Sequence, residues 1–152
     1  MECASAAKSY GCHIISDGGA VFAGDCAKAF GANASFIMLG SMLASHDESP
    51  GDLIVDEKTG KKYKEYYGMS SKRANEKYFG ELKSYRAAEG KLTHIPVKGS
   101  LNDTIQDIEG GIRSACTYVN AESLEELALN AIFVEVKQTY NGSLDQYVVG
   151  RV

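Results

Sequence analysis

The spacing of apolar residues changes several times along the chain, and each change marks an element. From Met1 to Tyr10, Cys3, Ala6, Ala7 and Tyr10 recur at helical intervals, and Gly11 stops the run. Cys12 to Ser16 is a short apolar strand whose Ile14-Ile15-Ser16 closes on Asp17-Gly18-Gly19. Val21 to Gly24 is a loop. Asp25 is placed to cap a helix running to Phe30, with Cys26, Ala29 and Phe30 on one face and Gly31 at its end. Phe36 to Leu39 is a second apolar strand, closing on Gly40-Ser41. Strand, helix and strand in this order predict a parallel βαβ unit with buried strands.

The period then shortens. Met42 to Gly51 is a polar connection containing His46-Asp47-Glu48. Adjacent residues rarely converge on one metal ion, so these three read as a solvated loop. Leu53-Ile54-Val55, a five-residue turn from Asp56 to Gly60, and Lys61 to Tyr67 predict a β-hairpin. Its second arm runs into Gly68-Met69-Ser70-Ser71, where serine can cap a helix lasting to about Tyr78. Residues 80–99 show no clear period, and a connection that long in a small domain is usually functional. Ser100-x-x-Asp103 opens a helix with Leu101, Ile105, Ile108, Ile112 and Ala115 on one face. Ser123-x-x-Glu126 opens another, with Leu124, Leu127, Ala128 and Ala131 inward. Ile132, Val134 and Val136 alternate with Glu135 and Lys137 as a short strand, and the tail from 138 to 152 is polar and loose.

Composition narrows the function classes. The 152 residues carry a formal net charge of −4 and a pI near 5.4, against a nucleic-acid footprint. No apolar run reaches membrane-spanning length, and Met1 to Ala4 do not read as a signal peptide. Cys3, Cys12, Cys26 and Cys116 are scattered, as reduced cytoplasmic thiols are. No metal site is expected.

The candidate chemistry lies at the strand ends. Glycines after an apolar strand let backbone N–H groups approach an anion, and Asp17 can accept from two neighbouring ribose hydroxyls. Either stretch alone is an ordinary turn between strand and helix. In tandem they suggest phosphate binding at the top of a (β/α) barrel. The helix start beside Gly68 adds a positive dipole end. A complete barrel needs about 250 residues, so a chain of 152 is either part of one or another fold.

Five stretches, in order, resemble the GMP reductase family: Ile14 to Gly19, Met38-Leu39-Gly40, Tyr67-Gly68-Met69-Ser70-Ser71, Tyr85-Arg86-Ala87-Ala88-Glu89-Gly90-Lys91, and Gly110 to Val119. The wider superfamily holds IMP dehydrogenase. The likeness runs from Met1 to about Val136 and covers the C-terminal half of the family's barrel. It implies an α/β fold: the C-terminal portion of a TIM (β/α)₈ barrel with a β-hairpin insertion and an active-site flap. The chain 1–152 would then divide into βα units with nucleotide-phosphate turns (1–79), the flap (80–99), closing helices with a short strand (100–137), and the tail (138–152).

The activity implied is NADPH-dependent reductive deamination of GMP to IMP and ammonia. Substrate would be held by Asp17, Gly18, Gly19, Gly40, Ser41, Gly68, Met69, Ser70, Arg86, Ala87, Ala88, Glu89 and Gly90. Met69, Tyr85, Arg86, Ser114, Ala115, Cys116 and Thr117 would meet NADPH, and Glu89 would be the catalytic acid of a proton-transfer dyad. The family often has glycine at position 41; the backbone donor survives serine. The Arg-Tyr pair of the IMP dehydrogenase flap does not follow Glu89. The family's nucleophilic cysteine loop lies N-terminal to the matched region, and Met1-Glu2-Cys3 falls inside the family's fifth helix, so Met1 reads as internal. The chain alone is therefore expected to be inactive. Its whole-length relatives would be homotetramers. The alternatives are a non-catalytic nucleotide-binding or assembly module, or an IMP dehydrogenase-like fragment.

Overall fold

The structure is a computed structural model that describes residues 1–81, 87–88 and 90–137. Helix α1 (Glu2–Ser9) ends where the amides of Gly11 and Cys12 donate back to Lys8 and Ala7, the paired bonds of a glycine-terminated helix. Strand β1 (Ile15–Asp17) starts later than the apolar run suggests. It pairs in parallel with β2 (Phe36–Met38), Ile15 opposite Phe36 and Asp17 opposite Met38. Helix α2 (Ala23–Gly31) crosses between them. It begins two residues before Asp25, because Phe22 takes the cap position. Asp25 sits one turn in and accepts from the amides of Val21 and Phe22, both at 3.0 Å. Those amides hold its carboxyl below the usual range.

The second layer is a three-stranded antiparallel sheet in the order β3 (Leu53–Val55), β4 (Lys62–Tyr66), β5 (Thr93–Pro96). The hairpin turn is built as its sequence implies: the Asp56 carboxylate accepts from Lys58 and Thr59, both at 2.9 Å. Strand β5 is a correction to the reading of 80–99 as aperiodic loop. Its four residues, Thr-His-Ile-Pro, do not alternate apolar with polar, and it is a strand because β4 offers an edge to pair with. Helix α3 (Lys72–Phe79) is capped by Ser71, whose Oγ accepts from the Ala74 amide. Arg73 reaches from it to Glu65 of β4 at 3.1 and 3.2 Å, which raises the Arg73 pKa.

Helix α4 (Leu101–Tyr118) carries the expected stripe, with Ile108 buried and Leu101, Ile105, Ile112 and Ala115 half-buried, and packs along α2. Gly111 is the closest approach: a Cβ there would stand 2.6 Å from Cβ of Ala23. Helix α5 (Leu124–Asn130), capped by Ser123, buries Leu127 and packs on α2 and α4. The expected strand at 132–136 does not form. Residues 131–136 pair with nothing described, and Ile132, Val134 and Val136 are exposed. Alternation alone supplies no partner strand.

The polar connection after β2 is also not the solvated loop its composition suggests. Ser45 and His46 are buried, and His46 forms a parallel bridge with Gly99. Glu48 caps α4 from outside it, accepting from the Leu101 amide at 2.8 Å, which lowers its pKa.

Candidate functional site

The parallel pairing of β1 and β2 puts their C-terminal ends side by side. Asp17, Gly18 and Gly19 therefore lie at the same sheet end as Gly40 and Ser41. Asp17 is exposed. Gly18 and Gly19 adopt φ of +99° and +81°, and nothing lies within 4 Å of where a Cβ would stand on either. Such backbone favours glycine and leaves the turn open to a ligand. Among the described residues, the amides of Gly19, Gly40 and Ser41 donate to no backbone acceptor.

The Gly40 turn is roofed by the second layer. A Cβ on Gly40 would stand 2.6 Å from the Tyr66 hydroxyl. Glycine is thus required for Tyr66 to reach across the turn. Lys98 braces the same turn from below, donating to the carbonyls of Ser41 at 2.7 Å and Met42 at 3.2 Å. Beside the turn opens a cavity of about 390 Å³, lined by Gly40, Glu65, Tyr66, Tyr67, Met69 and Tyr78, among others.

The Gly68 turn closes on itself, Ser71 N donating to Gly68 O at 3.0 Å, and launches α3. Met69 and Ser70 are exposed. Gly90 comes to this turn: a Cβ on it would lie 3.9 Å from the Gly68 nitrogen. Ala87 and Ala88 are exposed, whereas Tyr85, Arg86 and Glu89 lie outside the described residues. Ser114, Ala115, Cys116 and Thr117 occupy the last turns of α4 and do not line the cavity. Their hydroxyls donate back along the helix, Ser114 to Gly110 O and Thr117 to Arg113 O.

None of the cysteines serves the cavity. Cys3 and Cys12 are exposed on α1 and the approach to β1, and Cys116 is half-buried on α4. Cys26 is buried inside α2, where burial pushes its thiol pKa up and the Asp25 charge adds to it. Among the described residues no group of three His, Cys, Asp or Glu side chains converges as metal ligands would, and no helix is long and apolar enough to cross a membrane.

Tyr66 and Lys98 escaped the sequence reading. Tyr66 is one of four tyrosines between positions 63 and 78, with nothing local to single it out. Lys98 is one cation in a run of several. The pairing of β4 with β5 and the fold of the 41–49 connection bring both to the Gly40 turn.

Residues 1–144 match the family model described as IMP dehydrogenase / GMP reductase domain. Over 141 residues the chain is 57% identical to GMP reductase 2 of Mus musculus, a match covering 93% of this chain and 40% of that protein. GMP reductase of Caenorhabditis elegans is 53% identical over 148 residues, covering 97% of this chain and 40% of the relative. GMP reductase of Vibrio vulnificus is 52% identical over 141 residues, with coverages of 93% and 40%. The chain thus spans about two fifths of the length of these relatives. On this likeness along nearly its whole length, the chain belongs to the IMP dehydrogenase / GMP reductase family.

Proposed function

We propose that this chain carries the nucleotide-phosphate and flap portion of a GMP reductase, which converts GMP to IMP and ammonia at the expense of NADPH. The observation that carries the reading is the Gly40 turn. The Gly40 and Ser41 amides, the Tyr66 hydroxyl beside them and neighbouring Gly18 and Gly19 make a cradle of candidate donors at the ends of parallel strands. A phosphate monoester is the ligand such a cradle suits, and exposed Asp17 at the same end suits its ribose.

In this reading the Gly40 and Ser41 amides and Tyr66 hold the phosphate, and Asp17 accepts from the ribose hydroxyls. Gly68, Met69 and Ser70 edge the base, with Ala87, Ala88 and Gly90 closing over it. Arg86, Tyr85 and Glu89 join by motif, Glu89 moving a proton as ammonia leaves C2. Exposed Ser114 and Thr117, with half-buried Ala115 and Cys116 between them, join by motif as the α4 contribution to a dinucleotide site. NADPH, when bound, supplies the hydride. The reaction also needs a nucleophilic thiolate, and no described cysteine meets the cavity. The chain alone therefore binds nucleotide without turning it over. Whole-length assemblies would be homotetramers, in the cytoplasm.

Titration with GMP by calorimetry tests the reading. Binding is expected, with Asp17→Ala weakening it roughly 10- to 100-fold, the scale of hydrogen bonds to a charged acceptor. NADPH absorbance should stay constant in the same mixture. Absence of GMP binding, or binding indifferent to Asp17→Ala, overturns the cradle; steady NADPH loss overturns the missing nucleophile.

A further inference from the structure

The imidazole of His46 is wholly buried in a loop that composition marks as solvated. Its two ring nitrogens face two backbone carbonyls from distant parts of the chain. Nε2 lies 3.1 Å from the carbonyl of Met42, in the turn that carries Gly40 and Ser41. Nδ1 lies 3.2 Å from the carbonyl of Gly99, where the segment leaving β5 turns into α4. Carbonyls only accept and a neutral imidazole carries one N–H, so the ring donates to one of these carbonyls and packs against the other.

The surroundings repeat the connection. The Asp47 amide donates to Gly99 O at 2.9 Å and the Lys98 amide to Ser45 O at 3.0 Å. Ser45 Oγ donates to Ile95 O at 3.1 Å. The charged groups about the ring are few: Lys64 donates to the carbonyl of His46 itself at 2.7 Å, Lys98 shares the Met42 carbonyl, and Glu48 turns away to the Leu101 amide. The Gly40 turn and the stem that follows 80–91 thus meet on the buried His46 ring, alongside the Lys98 ammonium and the backbone bonds of Ser45 and Asp47.

We propose that His46 is a positioning residue that locks the Gly40–Met42 turn to the Gly99 stem, so that the phosphate cradle and the base of the flap move as one unit. Its functional meaning rests on the cradle reading; the lock itself is a property of the free chain. A phosphate drawn into the Gly40 turn would then order the stem at Thr93–Gly99 without touching it. Conversely, displacement of the stem would open the turn.

Hydrogen exchange on the full chain tests this, first without ligand. His46→Ala should speed exchange roughly tenfold or more at Leu43 on the turn side and at Asp47 and Lys98 on the stem side, together. The hairpin amide of Asp56 and the middle of α4 should keep their parental rates. His46→Phe, which fills the space but donates to neither carbonyl, should leave both sides fast. Acceleration confined to one side in His46→Ala overturns the lock, as do parental rates on both. If His46→Ala loosens the whole chain, His46→Phe decides: restoration of both sides means the ring only fills space. GMP is then added. In the parent it should slow exchange at both the turn and the stem; in His46→Phe, at the turn alone. Equal protection of the stem in both overturns the coupling. No protection of the turn in the parent overturns the cradle reading, with the lock already judged in the free chain.

Discussion

At Gly40 the absence of one carbon decides what the Tyr66 hydroxyl can reach. An added Cβ would meet that hydroxyl at 2.6 Å, yet the clash is with the far end of a side chain that can pivot. Gly40→Ala should therefore cost little stability while moving the hydroxyl off the turn. We expect GMP affinity to fall about tenfold, the usual scale for one lost hydrogen bond to a charged ligand. Tyr66→Phe should fall by a similar factor. The double variant should be no worse than either single one, because both remove the same contact. Calorimetric titration of the four proteins gives the cycle; losses that multiply would show that Gly40 and Tyr66 act separately. The glycine turns after β1 and β2 were legible as turns because glycine widens what the backbone can do there. The tyrosine was not, because its role depends on a strand crossing 26 positions away.

Helix α4 contains two adjacent glycines with opposite surroundings. Gly111 faces Ala23 of α2, whose Cβ would lie 2.6 Å from an added Cβ, with the Ala23 backbone at 3.7 Å. Gly110 has nothing within 4 Å. Gly110→Ala should stabilise the chain by about 0.5–1 kcal/mol through backbone entropy alone. Gly111→Ala gains the same propensity but forces α4 away from α2. Overpacking of this kind costs about 1–3 kcal/mol, so the net sign reverses. Urea unfolding midpoints of the two variants check this, and a stabilising Gly111→Ala would mean the helices are not in firm contact. From sequence the pair is one motif, Gly-Gly in a helix. Which glycine matters is set by the phase of α4 against α2.

Across the whole molecule, the face of the β1–β2 pair opposite α2 is uncovered. Ile15, Phe36 and Met38 share it and are 55%, 56% and 52% exposed, so the strands anticipated as buried from their composition are only half-buried, at Ser16 and Ile37 on the other side. The buried apolar residues among those described are few and mostly small: Ala4, Cys26, Ala74, Ile108 and Leu127. Exposed apolar surface of this kind drives association. Purified chain should bind a hydrophobic dye under native conditions and sediment faster as concentration rises. Phe36→Thr with Met38→Thr should reduce both while leaving the unfolding midpoint nearly unchanged, since these side chains bury little. A large drop in stability would place them inside the fold instead.

Local chemistry was enough to read the parallel βαβ unit, the hairpin at Leu53–Tyr66, and the helices that Ser71, Ser100 and Ser123 cap. Each depends on neighbours within a few positions: an apolar period, a capping hydroxyl, an Asp56 carboxylate beside its own turn amides. The turns at Gly18–Gly19 and Gly40–Ser41 were legible for the same reason. Tertiary structure alone decided the rest. Thr93–Pro96 became a strand because β4 had an edge to pair with, and Ile132–Val136, with better alternation, found no such edge. Asp25 lost the cap to Phe22, whose backbone holds the extended cap conformation. His46 left a polar run for the interior because carbonyls 53 residues apart in sequence with it and four residues from it converge on its ring. Pairing edges and buried acceptors are supplied by distant segments, and no local pattern encodes where those segments come to rest.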